Sequence, residues 1–199
     1  MSETATPIST SNSKAIGPGR PRCFDESEAL AAAMNVFWKN GFEATSVYDL
    51  TQAMGLSRSS FYATFESKQA LFRRALQYYS KNGLRGLREV AEQAGEGALE
   101  AMMMALSDPG GSPKGCLLIN CITELAPHDE KVAEMGRHHL DCIEDIFARA
   151  IDPADPESVR DRARAYTSLA IGTLTLRKSG VSPETIRRTL EQARFVLPE

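Results

Sequence analysis

The sequence is thin in the residues that most metal and redox sites need: four cysteines, three histidines and one tryptophan among 199 residues. Cys23, Cys116, Cys121 and Cys142 form no CxxC pair. That argues against a zinc ribbon or a thioredoxin-like couple, and a reducing cytosol would keep the thiols free. His138 and Cys142 stand at i, i+4 on one helical face, but core and surface packing is the simpler reading of that pair than a metal site. Long apolar runs are missing too. Cys116-Leu117-Leu118-Ile119 is typical, far short of the ~20 residues that cross a bilayer. The first residues carry no apolar signal-peptide core. A cytoplasmic location without membrane contact is therefore expected. No nucleophile elbow, phosphate-cradling glycine loop or HExxH is present, so no catalytic residue, metal or cofactor is assigned and no enzyme is expected. Strand-like alternation, repeats and a heptad period are absent as well, which points to an all-α fold.

What is present suffices for a core: 42% of the residues are apolar and 25% charged. The net charge of −3 hides an asymmetry. Residues 1–90 hold 11 Lys/Arg against 8 Asp/Glu, whereas residues 91–199 hold 12 against 18. A polyanion would prefer the first part. Residues 1–19, rich in Ser, Thr, Pro and Gly, read as a disordered arm. Asp25 and an acidic first turn start a helix that Gly41 ends. Ser46 and Asp49 stand at capping-box spacing for a second, with Leu50, Ala53 and Met54 as its apolar face and Gly55 as its end. Ser57 caps a third, Arg58 to Phe65, and Ser67 a long one from Lys68 to about Gln93. Further helices are expected at 97–107, 115–126, 129–151, 156–178 and 183–196, the last two opened by a capping residue before proline.

Residues 45–68 carry the functional signal. Two short helices separated by Gly55-Leu56-Ser57 form a helix-turn-helix arrangement, whose second helix is short enough to seat in a DNA major groove. Phe61 and Phe65 face inward. Arg58 at the helix start suits guanine O6 and N7, Ser59 and Ser60 permit close approach, and Tyr62, Thr64 and Lys68 suit phosphates. Thr45, Ser46 and the amides that follow offer another phosphate site. Gly19-Arg20-Pro21-Arg22 supplies two arginines for an adjacent groove. A helical small-molecule binder or enzyme whose first helices are only structural is the alternative, but it has no need of this exposed set.

Residues 20–80 resemble the DNA-binding region of the tetracycline-repressor (TetR) family. The resemblance rests on Phe37…Gly41-Phe42, Thr45-Ser46, Ala53-Met54-Gly55-Leu56-Ser57 and Phe61-Tyr62…Phe65…Lys68…Leu71. It implies a homodimer on palindromic double-stranded operator DNA, a repressor released by a small-molecule inducer. Arg58, Ser59 and Ser60 match base-reading positions, and Thr45, Tyr62 and Lys68 match phosphate-contacting ones. Thr64 stands where many relatives have His. The implied organisation is a three-helix DNA-binding domain over 20–66 and a ligand-binding and dimerisation domain over 67–199. Lys114-Gly115-Cys116-Leu117-Leu118-Ile119-Asn120 with Glu124-Leu125-Ala126-Pro127-His128-Asp129 resembles one subgroup of its C-terminal domains. Met103, Cys116, Asn120, Glu124 and His138 are candidate ligand-facing residues, and Cys116 beside Lys114 is a candidate reactive thiol. Tyr166, Leu169, Ala170, Thr173, Leu174, Ile186, Leu190 and Ala193 are candidates for the dimer interface.

Overall fold

Capping chemistry sets the helix starts in the first third of the chain. In the computed structural model, which describes residues 25–107 and 114–196 (the last four by backbone alone), every described element is helical. Asp25 accepts from the Ser27 and Glu28 amides at 2.8 and 3.3 Å and starts α1 (Glu26–Asn40). Ser46 and Asp49 close a reciprocal capping box on α2 (Val47–Met54), with bonds of 2.9 and 3.1 Å. Gly55 ends α2 in the left-handed conformation, φ 64° and ψ 28°, which a Cβ would disfavour. Ser57 caps α3 (Arg58–Phe65) and Ser67 caps α4 (Lys68–Ala94), each through one amide at 3.0 Å.

The later elements are α5 (Ala98–Ser107), α6 (Leu117–Leu125), α7 (Glu130–Ile151), α8 (Arg160–Lys178) and α9 (Pro183–Val196). Two starts shift from the expected ones. Gly115 has φ 71°, so α6 begins two residues late, at Leu117. Pro156–Val159 form a 3₁₀ turn before α8 rather than its first turn. On α2 the inward face is Leu50 and Thr51, not Ala53, which is exposed. The Thr51 hydroxyl donates back to the Tyr48 carbonyl at 2.9 Å, which lets a polar side chain sit in that face.

Two cores result. The first joins Leu30, Phe37, Leu50, Phe61, Phe65, Leu71, Phe72 and Leu76 of α1–α4 to Leu117, Leu118 and Cys121 of α6 and Val132 of α7. Three aromatic rings, Phe37, Phe42 and Phe72, pack together with centroids 4.7–6.2 Å apart. The second joins the far half of α4 to α5, α7, α8 and α9 around Met102, Phe147, Tyr166 and Ile186. The expected boundary between residues 66 and 67 therefore falls inside one packing unit, because α4 and α6 supply core to α1–α3. Polar ties run the same way. Arg73 and Gln69 of α4 bond the Asp129 carboxylate at 3.0–3.3 Å. Partial burial alone would raise that carboxyl, but the Arg73 and Gln69 bonds hold it below the usual carboxylate range.

The turn from α3 into α4 is strained. Glu66 has φ 63° and ψ −48°, and across it the Ser67 amide donates to the Phe65 carbonyl at 2.6 Å. This is a γ-turn of the positive-φ type, costly for a residue with a Cβ. The Glu66 side chain is exposed. Glu66→Gly should therefore raise stability by up to about 1 kcal/mol, strain relief outweighing the entropy of glycine. Thermal unfolding checks this, and a lower midpoint contradicts it.

Candidate nucleic-acid interface and internal cavity

The exposed side of α3 and its surroundings come first. Phe61 and Phe65 are fully buried and pin the helix, leaving Arg58, Ser59, Ser60 and Tyr62 outside. The Arg58 guanidinium lies 5.9 Å from the Tyr62 ring centroid, within cation–π reach. Tyr62 leans edge-on against Phe61, which fixes its direction. The Ser57 hydroxyl meets those of Ser59 and Ser60 at 2.9 and 2.8 Å, so a small hydroxyl cluster surrounds the positive end of α3. Thr64 is half-buried, its carbonyl accepting from Arg74 at 3.2 Å. Arg74 also lies over the Phe65 ring and pairs with Glu26, tying α3 to α4 and α1.

Two expected phosphate contacts are placed differently. Thr45 is only 1% exposed, and its hydroxyl donates to the Gly41 carbonyl at 2.6 Å. It closes the α1–α2 turn from a buried position. Ser46 beside it is exposed, but its oxygen serves the α2 cap. Lys68 Nζ donates to the Phe42 and Thr45 carbonyls at 2.9 and 3.0 Å and sits 4.3 Å from the Phe42 centroid. Two of its three donors thus clamp the same turn onto α4. One residue was not singled out in advance: Tyr48, 70% exposed on the outer side of α2. Its signal was an aromatic standing off the buried stripe of a short helix. Arg20 and Arg22 lie outside the described residues.

A cavity of about 400 Å³ opens between α4, α5, α6, α7 and α8. Leu84, Leu87, Ile119, Ile143, Ala170 and Leu174 supply apolar wall, and Gly83 and Gly86 leave room on the α4 side. Trp38 reaches into the wall from α1; it meets Tyr79 edge-on at 5.3 Å, and its indole N–H donates to the Lys114 carbonyl at 3.3 Å. Tyr79 in turn donates to Cys116 Sγ at 3.4 Å; burial and that thiol push its phenol pKa up. His139 is buried, with Nδ1 2.7 Å from the Ser80 hydroxyl. Burial, followed by His138, lowers its pKa to about 4, so it is neutral at physiological pH. Thr167 is 3% exposed and its hydroxyl has no hydrogen-bond partner. Arg177 Nη1 donates to the Ser107 carbonyl at the end of α5, at 2.8 Å, where the helix dipole favours a cation.

Of the five ligand-facing candidates, Cys116 alone lines this cavity. Met103 belongs to the second core and borders a smaller pocket of about 160 Å³ with Tyr166 and Leu190. Asn120 bonds the Lys114 carbonyl and the Lys178 ammonium outside it. Glu124 is exposed, its carboxylate 3.4 Å from where a Cβ would stand on Gly41. His138 points to solvent while His139 takes the inward place, in register with Val132 and Ile143. That register was available in the sequence. Burial, followed by Glu124, pushes the Cys121 thiol up to about 12, which keeps it protonated at physiological pH.

The proposed dimer stripe is mostly intrachain core. Tyr166, Ala170, Ile186 and Leu190 are buried within the second core, Leu174 lines the cavity, and Thr173 is buried with its hydroxyl on Ser107 at 2.6 Å. Leu169 is half-buried, and the Ala193 side chain lies outside the described residues. The face of α8 that stays open is one step round: Ala165, Ser168, Leu169, Gly172, Thr175 and Leu176, the last 41% exposed. Among the described residues, nothing outside the neighbouring backbone of α8 lies within 4 Å of a Cβ at Gly172. Among the described residues no group of three or more His, Cys, Asp or Glu could hold a metal ion. Nor, among them, is any helix long and apolar enough to cross a membrane.

Comparison with known proteins bears on the same elements. A family model described as "Bacterial regulatory proteins, tetR family" matches residues 29–75, from α1 into α4. The HTH-type transcriptional repressor ComR of Escherichia coli (strain K12) is 37% identical over 132 residues, 61% of this chain and 62% of its own length. The HTH-type transcriptional repressor BdcR of the same organism is 32% identical over 66% of this chain and 70% of its own. Among solved structures, a cysteine mutant of the TetR family transcriptional regulator CifR, complexed with 26-bp double-strand operator DNA, superposes with a TM-score of 0.78. That match is at 28% identity and covers 90% of this chain and 100% of that one.

Proposed function

From the premise that this chain belongs to the TetR family of bacterial regulatory proteins, we propose that it is a homodimeric transcriptional repressor that leaves its operator when a small molecule fills the α4–α8 cavity. One observation carries the reading. Phe61 and Phe65 bury one side of α3 completely, so Arg58, Ser59, Ser60 and Tyr62 are all presented outward from one short capped helix. Such a helix fits a major groove, with Arg58 at a guanine edge and the serines allowing close approach. Tyr62 and Tyr48 flank it as hydroxyl donors to phosphates, and the α2 and α3 amides add two positive helix ends. The names of ComR and BdcR, both repressors, support repression over activation.

Coupling between cavity and head follows from α6. Ile119 faces the cavity, while Leu117, Leu118 and Cys121 on the same helix belong to the head's core. A ligand that shifts α6 therefore moves groups against which α1 and α4 pack. Gly136 of α7 gives α6 its seat: a Cβ there would stand 2.6 Å from Ile122. Dimerisation belongs to the open face of α8, where Ala165, Ser168 and Gly172 permit close helix approach, with the outer side of α9 beside it.

The test is a gel shift on the DNA flanking the protein's own gene, with nonspecific competitor at moderate salt. A discrete shift with two protomers per site is expected. Arg58→Ala should cost about 1–3 kcal/mol and relax preference at one base pair per half-site. Random-sequence selection that enriches no palindrome, or an Arg58→Ala variant with parental specificity, overturns the docking.

A further inference from the structure

The polar groups of the cavity define its ligand more narrowly than "small molecule", and the inference rests on the ligand-release reading above. Thr167 is the informative residue. Its hydroxyl is buried on the cavity wall without a hydrogen-bond partner, an arrangement that is costly unless something else supplies the bond. His139 borders the same space; with Nδ1 against Ser80, its Nε2 is the ring's other polar atom. The imidazole is held neutral by burial, so neither group brings charge. Arg177 also lines the cavity and donates through Nη1 to the Ser107 carbonyl at the C-terminal end of α5; a carbonyl leaves the guanidinium's charge in place, and the 2-naphthoate arm of the test below reads whether that charge reaches a ligand. The rest of the wall is aliphatic, apart from the Tyr79–Cys116 pair, which bond each other, and the indole of Trp38.

We infer that the cavity takes an uncharged, ring-bearing molecule with one hydrogen-bonding oxygen, seated with that oxygen toward Thr167 and His139 and its apolar body toward Trp38. A hydroxyl or carbonyl oxygen accepts from the Thr167 hydroxyl; a hydroxyl can also donate, which serves either tautomer of His139. Neither Thr167 nor His139 brings a charge to offset a buried carboxylate, which favours a neutral ligand. The volume is in the range of sites for small organic ligands. Because Trp38 belongs to α1, a ligand against it touches the DNA-binding head directly as well as through α6.

Three probes of one shape test this: 2-naphthol, naphthalene and 2-naphthoate, titrated into the full-length dimer. Binding is read by calorimetry and by the emission of Trp38, the single tryptophan of the chain. 2-Naphthol should bind about fivefold or more tighter than either of the others, the worth of one neutral hydrogen bond, and should change Trp38 emission. Thr167→Val keeps the shape and removes the hydroxyl; it should abolish the preference for 2-naphthol and leave naphthalene within about twofold. Thr167→Ser should keep the preference, which separates a lost bond from a damaged fold. The assignment is overturned if 2-naphthoate binds as well as 2-naphthol, if Thr167→Val keeps the preference, or if no probe binds. Operator binding by the same preparation separates the two readings: DNA bound but no probe bound overturns the ligand class alone, whereas probe binding without DNA binding overturns the regulator.

Discussion

A Gly172→Arg variant should be a folded monomer that has lost operator affinity by roughly a hundredfold or more. Gly172 stands in the middle of the open α8 face, between Ser168 and Leu176. In the protomer a Cβ there has open space, since among the described residues nothing outside the neighbouring backbone of α8 lies within 4 Å of it. The fold should therefore tolerate arginine, and replacing a helix-interior glycine even removes a cost of about 0.5–1 kcal/mol. In a two-fold dimer the result reverses. On the proposed interface the same face meets its own copy, so each arginine would enter a close helix contact and lose water without a carboxylate partner. An unpaired buried charge costs about 3–5 kcal/mol, and symmetry counts it twice. That is enough to raise a nanomolar dimer constant into the range where protomers dominate. A monomer holds one half-site, and most of the operator's advantage over nonspecific DNA goes with the second. Sedimentation velocity and circular dichroism check the two halves of the statement. A Gly172→Arg protein that stays dimeric and keeps its affinity places the interface elsewhere.

Lys68 presents the second large effect, and it discriminates between two roles. As a phosphate contact, Lys68→Met would weaken binding to all sequences and reduce the slope of log K against log salt by about 0.9 per protomer. As the clamp seen in the structure, it should leave that slope unchanged. It should instead lower unfolding stability by about 2–3 kcal/mol, because two charge-assisted bonds and the contact over Phe42 are lost together. The half-buried position lets water replace part of those bonds, which keeps the figure below their simple sum. DNA affinity should still fall, since the α1–α2 turn then no longer holds α2 at a fixed angle to α4. Lys68→Arg should not restore it: a planar fork cannot converge on two carbonyls as a compact ammonium does. Stability from denaturant titration and the salt slope decide together; an unchanged stability with a reduced slope would return Lys68 to the phosphates.

The elements of the head were legible in the sequence because its punctuation is local. Asp25, Ser46, Ser57 and Ser67 cap through amides two or three residues away, and Gly55 is needed where φ is positive. Phe61 and Phe65 at i, i+4 define an inward side whatever packs on it. Those are properties of a few neighbouring residues, so Arg58, Ser59, Ser60 and Tyr62 were found outside as expected. What failed to be legible depends on residues far apart in the chain. The Thr45 hydroxyl turns inward to Gly41, and the Lys68 ammonium is shared with Phe42, 26 residues earlier. On α8, an apolar stripe looks the same whether its partner is α5 and α7 of one chain or α8 of a second. Packing against α5 and α7 claimed Tyr166, Ala170 and Thr173, and rotated the open face to Ser168, Gly172 and Leu176. The cavity is likewise a property of how five helices leave space between them, with Trp38 arriving from a sixth. The sequence by itself determined where helices begin and end and which side of α3 faces out, because those are short-range hydrogen-bond and periodicity effects. The tertiary structure decided which apolar face is core, which is free, and which polar groups are left to meet a ligand, because burial depends on every neighbour at once.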